Sequence, residues 1–227
     1  MSFSFKDYIK MFKTKGWYLP YKYFLENHFF DLKRGVDTHA AIQKEYFAEV
    51  DNLKHGIHYA CSWQSTIKKS FFAVLELLKE DRDNLSFIDI GCGKGKVPIV
   101  WNEIAYKHNY SFHIYGIDYS QSLINIAKKN YLKLFDTEGN FICSDITKVD
   151  FSQFTKKKLV FYLYNPFDEV ILKKFLDQLK YLDVCIIYVY PIHDLIIKNS
   201  NYELVYNFSG KHPNEAFRIY LNKQTNK

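Results

Sequence analysis

The chain has 227 residues and a formal net charge of +6, enough for a single doubly wound sheet with an appendage and short for two independent domains. Its lysines form only short clusters, such as Lys156 to Lys158, so nucleic acid is permitted as a partner and not indicated. The four separated cysteines, Cys61, Cys92, Cys143 and Cys185, show neither a C-x-x-C pair nor a nearby histidine at ligand spacing, which argues against a disulfide framework and a metal site.

In chain order, residues 1–80 read as a helical extension or lid. Phe5, Tyr8, Ile9 and Phe12 share one helical face while Lys6, Lys10 and Lys13 share another. Gly16 and Pro20 break that pattern, and Tyr21, Phe24, Leu25 and His28 begin a second amphipathic stretch. A basic amphipathic segment of this kind can lie on a membrane surface or hold an anionic substrate; the preferred expectation is helices that cover the core. Residues 31–38 are expected to form a charged loop and residues 56–59 another. Ile67, Phe71, Val74, Leu75 and Leu78 mark a helix over 66–79, ended by residues 81–84.

Residues 81–227 alternate between strand and helix. Strands are expected at 87–90, 113–117, 141–142, 159–164 and 184–190, and helices after the glycine run at 91–95, at 123–130 and at 169–181. Pro98 is tolerable only in the first turn of its helix. Residues 202–208 and 216–222 read as an antiparallel pair joined through Gly210 and Pro213. The fold class is therefore α/β, a doubly wound, mostly parallel seven-stranded sheet that closes in an antiparallel hairpin. Aromatics make up 19% of the chain and lie at core spacings, which reads as packing. The longest apolar run, 184–192, is too short to cross a bilayer and no leader pattern opens the chain, so the expected compartment is cytoplasmic.

In open parallel sheets ligands bind outside the carboxyl ends of the strands, and polar residues stand there. Residues 87–96 read F-I-D-I-G-C-G-K-G-K, a strand that turns sharply into a helix beneath a ligand. The dinucleotide fingerprint G-x-G-x-x-G places its third glycine one step further along and seats a pyrophosphate, which a carboxylate as close as Asp89 would repel. Asp89, Gly91, Gly93 and Gly95 instead make D-x-G-x-G-x-G, and the segment resembles the first motif of class I S-adenosylmethionine (SAM) methyltransferases. SAM carries a sulfonium and an ammonium and no phosphate. On that resemblance Asp89 and the amides of Gly91, Cys92, Gly93 and Gly95 hold the methionine portion.

Asp118 ends the second strand about 20 residues after the glycines, where a carboxylate can accept from both ribose hydroxyls; it can equally cap a helix. Asp145 is placed to reach the adenine amino group, with Ile146 or Tyr119 on the ring, although Asp-x-Thr is also an ordinary turn. Asn165-Pro166-Phe167 ends the fourth strand and resembles the [DNS]-P-P-[YF] motif of amino-directed methyltransferases. There a side-chain oxygen and a prolyl carbonyl orient the target nitrogen and the aromatic ring packs on the acceptor. The second proline is missing here, and Asn-Pro alone can be a strand-ending turn. His193, in Tyr190-Pro191-Ile192-His193, is a candidate general base in the same crevice, or a cap.

The whole chain resembles a family of small bacterial class I methyltransferases. The resemblance rests on Arg34-Gly35-Val36-Asp37-Thr38, on Gly56-Ile57-His58-Tyr59, on D-I-G-C-G-K-G-K, on Tyr164-Asn165-Pro166-Phe167 and on Tyr-Pro-Ile-His. More distantly it is similar to Dot1-like protein-lysine methyltransferases, in which a loop before the first motif closes over SAM; the matching positions are Tyr59 to Ser62. The resemblance implies a SAM-dependent methyltransferase, monomeric or dimeric, that needs no metal. The expected acceptor is a nitrogen of a protein side chain or small molecule. A saccharide or other hydroxyl, and RNA, are the alternatives, with a non-catalytic SAM or nucleotide binder as a reading of another class.

Overall fold

The computed structural model describes residues 5–40, 61–154 and 158–222. Their seven strands form one sheet in the order β3-β2-β1-β4-β5-β7-β6. The strands are β1 (Leu85–Ile90), β2 (His113–Asp118), β3 (Asn140–Cys143), β4 (Lys158–Tyr164), β5 (Val184–Val189), β6 (Tyr202–Phe208) and β7 (Phe217–Asn222). The first five run parallel, and β7 inserts antiparallel between β5 and β6. The chain order reverses between β1 and β4, which opens a crevice above their carboxyl ends.

Alternation along the strands divides the core in two, because successive side chains point to opposite faces. Phe87, Val160, Tyr162, Cys185 and Ile187 belong to one cluster; Ile88, Ile90, Phe161, Leu163 and Ile186 belong to the other. The first is covered by α4 (Gln64–Leu77), α5 (Lys96–His108) and α6 (Gln121–Phe135), the second by α7 (Glu169–Gln178) and α8 (Asp194–Lys198). Aromatic packing fills the first cluster: the Phe87 ring lies 4.7 Å from Phe71, 5.2 Å from Trp101 and 5.0 Å from Phe112. Pro98 falls in the first turn of α5, where the missing N–H costs nothing.

The N-terminal part comprises α1 (Phe5–Lys15), α2 (Tyr18–Tyr23), a π-helical turn at Phe24–His28 and α3 (Phe29–Arg34). Two expectations need correction here. Pro20 does not end a helix; it lies inside the first turn of α2, where its missing N–H is again harmless. The stretch 31–34 is the last turn of α3, and the loop begins only at Gly35, which ends that helix at φ 65°. Helix α4 packs on the sheet, sharing with Phe30 the core cluster of β1 and β4. The boundary at residue 80 thus runs through continuous packing. The loop at 56–59 falls outside the described residues.

Two further differences concern helix bounds. The helix after Glu169 stops at Gln178, and α8 follows β5 directly. Five residues are too few to show helical periodicity, which is why α8 escapes a sequence reading.

Candidate active site

The glycine turn is built by backbone bonds to the neighbouring strand. The amides of Gly91 and Cys92 both donate to the carbonyl of Ile117, at 2.8 and 3.0 Å. Gly91, at φ 72°, sits directly beneath the end of β4, since a Cβ there would lie 2.9 Å from Cβ of Pro166. Gly95, at φ 83°, opens α5 where a Cβ would press on Ala127 and Phe141. The turn therefore excludes side chains on both flanks. The amides of Gly91, Cys92, Gly93 and Gly95, expected to hold the methionine portion, donate instead within the fold, to the carbonyl of Ile117, to Asp118 Oδ2 and to the carbonyl of Cys92.

Asp118 lies at the centre of this geometry. Its Oδ2 accepts from the Gly93 amide and its Oδ1 from the Ser120 amide, each at 2.9 Å. A carboxylate offers about four lone-pair directions, so acceptor capacity remains after these two bonds. Burial pushes its pKa up from 3.8 to about 6, opposed by those amides. Asp89, one strand over, is buried as well. Burial first, and then the Asp118 charge, hold its carboxyl well above the usual range, and among the described residues no hydrogen-bond donor offsets them. Gly116 is the register partner of Asp89 and leaves the room between β1 and β2 to Cys92 and Phe141.

Two adjacent buried carboxylates beneath a glycine turn fit a ligand that brings positive charge and hydroxyl donors, and disfavour one that brings phosphate. SAM meets that requirement.

At the end of β3, Asp145 Oδ1 accepts from the Thr147 amide at 2.9 Å and from its hydroxyl at 2.8 Å, and so closes the 3₁₀ turn Ile146–Lys148. Ile146 is buried in the second core cluster. Tyr119 is half-buried beside Asp118, with its hydroxyl pushed up to about 12 by burial and then by that charge.

Strands β4 and β5 both end in a left-handed residue that is not glycine, Asn165 at φ 42° and Tyr190 at φ 51°. Such conformations cost of order 1–2 kcal/mol each and cluster at functional sites. A relay fixes the first: the His193 amide donates to the Tyr188 hydroxyl at 3.2 Å, and that hydroxyl donates to Asn165 Oδ1 at 3.1 Å. Asn165 is buried and Pro166 rests on Gly91.

Phe167 departs from its expected place against an acceptor. Asp168 caps α7 by accepting from the amides of Val170 and Ile171, which turns the chain downward. The Phe167 ring is consequently buried in the second cluster, 6.0 Å from Phe175. His193 stands at the start of α8 with Nδ1 3.4 Å from Glu169 Oε1. Tyr59 lies outside the described residues.

Sequence reasoning missed the two lysines of G-C-G-K-G-K. Lys94 Nζ donates to Asp37 Oδ2 at 2.7 Å and to the Ala40 carbonyl at 3.0 Å. Lys96 Nζ donates to the Glu26 carbonyl at 2.6 Å and to Asn27 Oδ1 at 3.0 Å. Asn130 completes the junction, donating to the carbonyls of Asp37 and Lys94. The glycine turn is thus bolted to the N-terminal helices, and the available signal was the pair of charges in an otherwise apolar motif.

The profile of the family described as "Methyltransferase domain" matches residues 81–207. A putative class I SAM-dependent methyltransferase from Listeria monocytogenes superposes with a TM-score of 0.53 at 16% identity, over 77% of this chain and 65% of that one. TrmN from Thermus thermophilus gives 0.48 at 16% identity, over 67% and 47%. The tRNA N(3)-methylcytidine methyltransferase Trm140 of Schizosaccharomyces pombe is 36% identical over 66 residues, 29% of this chain and 21% of that protein. The chain thus spans about a fifth of that curated relative's length and about half of TrmN's.

Proposed function

This chain belongs to the methyltransferase domain family, whose class I members use SAM, and from that premise we propose that it transfers a methyl group to a nitrogen held at Asn165. Bound, SAM supplies an electrophilic methyl carbon on a positively charged sulfur. The carboxylates of Asp89 and Asp118 are then relieved by the donor's charge, with the glycine turn, free of side chains, packed against its methionine part. Asp118 accepts from the ribose, and Asp145 and Tyr119 border the adenine. Asn165 Oδ1 and the carbonyls at the β4 end accept hydrogen bonds from the acceptor nitrogen and aim its lone pair at the methyl carbon. Positioning of this kind can supply about 7–11 kcal/mol.

The observation that carries the acceptor assignment is the placement of Asn165: left-handed, buried, and locked by Tyr188 beside the glycine turn. The favoured acceptors are a protein side chain or a small molecule. A second reading, a base nitrogen in RNA, is favoured by the local match to a tRNA N(3)-methylcytidine methyltransferase.

Asn165→Ala should abolish transfer from labelled SAM into cell extract while leaving SAM binding nearly intact by calorimetry; an undiminished rate removes Asn165 from the mechanism. Digestion of the labelled extract with protease or nuclease sorts the acceptors. Label lost only to nuclease establishes the RNA reading, and label in a saccharide fraction overturns the nitrogen acceptor.

A further inference from the structure

The N-terminal stretch of the chain is basic. Residues 1–24 hold five lysines against Asp7, a net charge of +4. Lys6, Lys10 and Lys13 follow one another at helical spacing along α1 and are all exposed. The next stripe of the same helix carries Ile9 and Phe12, the latter 58% exposed. Just beyond it Trp17 and Tyr21 are 66% and 57% exposed, their rings 6.2 Å apart, and Phe24 continues that face one turn on. The helices were expected to cover the core, yet these large side chains point away from it. The inward side of the same segment is well satisfied: Tyr18 donates to Glu215, and Lys22 pairs with Glu26 and Ser65.

A stripe of lysines bordering a stripe of bulky apolar groups is the pattern of a helix lying in a lipid–water interface. There the rings enter the acyl boundary and the ammonium groups reach up to phosphates. RNA fits less well. Base stacking needs cations within reach of each ring for the intervening phosphates, and on α2 the one lysine, Lys22, is turned inward to Glu26. We propose that the α1–α2 face docks this protein peripherally on an anionic lipid surface.

The molecule carries its own reporter, since Trp63 and Trp101 are buried and Trp17 is exposed. Mixing the full chain with vesicles of phosphatidylcholine and phosphatidylglycerol should shift Trp17 emission to the blue and carry the protein into the vesicle pellet; pure phosphatidylcholine should do so far more weakly. Replacing Lys6, Lys10 and Lys13 together by Glu should weaken pelleting by about a hundredfold or more, from about 1 kcal/mol per basic residue. Ile9→Ser with Phe12→Ser should weaken it by about tenfold or more. All five positions are exposed, so the melting temperature should not move and loss of binding cannot be ascribed to misfolding. No pelleting with either vesicle overturns the proposal. It also falls if the same substitutions leave vesicle binding intact while abolishing a gel shift with tRNA, or if sedimentation shows that the face pairs two copies of the chain.

Discussion

Asp89 and Asp118 are two carboxylates that the fold buries, and the burial of Asp118 has a readable consequence in pH. The Asp118 pKa is raised from 3.8 to about 6, so between these values the folded protein retains a proton that the unfolded chain releases. This group therefore favours the folded state at low pH, and that contribution is lost as pH rises through about 6. Donor binding runs the other way, because a cation and ribose hydroxyls require the ionised form. Calorimetric SAM affinity should be flat above pH 7 and fall about tenfold by pH 5, one unit below the midpoint. Asp118→Asn should weaken binding at pH 8 by about tenfold or more and remove the step near pH 6; an unchanged step would place the proton elsewhere. Both residues were legible in the sequence, because motif spacing fixes which side chains end β1 and β2. Their mutual effect was not, since it depends on register and burial. Phe167 was misplaced for a related reason: the motif gives the residue type at the strand end, while the Asp168 cap decides which way the chain turns after it.

At the scale of elements, the extension is held by a few charge-assisted contacts. Lys96 is 3% exposed and reaches the π turn that buries Glu26 and Asn27, with Phe30 4.7 Å beneath its ammonium. Arg34 adds a two-pronged bond to Glu103 on α5. Lys96→Met should keep the packing volume and strand the backbone carbonyl of Glu26 and the side-chain oxygen of Asn27. The expected loss is about 1.5–3 kcal/mol in urea unfolding, and no loss would show the junction to be decorative. Helices α4 to α7 were legible from periodicity, as were the interiors of all seven strands. The π turn was not, because one extra residue in a helical turn leaves no mark on composition and only shifts the phase of the apolar face.

For the whole molecule, the topology follows from alternating strands and helices under a right-handed crossover rule, and the terminal hairpin from its turn residues. What the pattern could not reveal is where the core stops. Because Phe30 and α4 share a cluster with β1 and β4, residues 81–227 alone would expose the Phe71-facing side of Phe87 and Trp101. Expressed from residue 81, the protein should be insoluble or lack near-UV circular dichroism, whereas a cooperative melt of that fragment would show an autonomous domain. Periodicity assigns faces to helices, and nothing in one sequence says which sheet face receives which helix.

The placement of β7 between β5 and β6 also orders events during synthesis. Strand β6 leaves the ribosome before the strand that joins it to the sheet, and β5 waits with one edge unpaired. For those residues the nascent chain holds an open, very apolar edge, Val-Cys-Ile-Ile-Tyr-Val, of the kind that recruits other strands. A chain lacking β7 should therefore aggregate in sedimentation, because β5 then keeps that edge open.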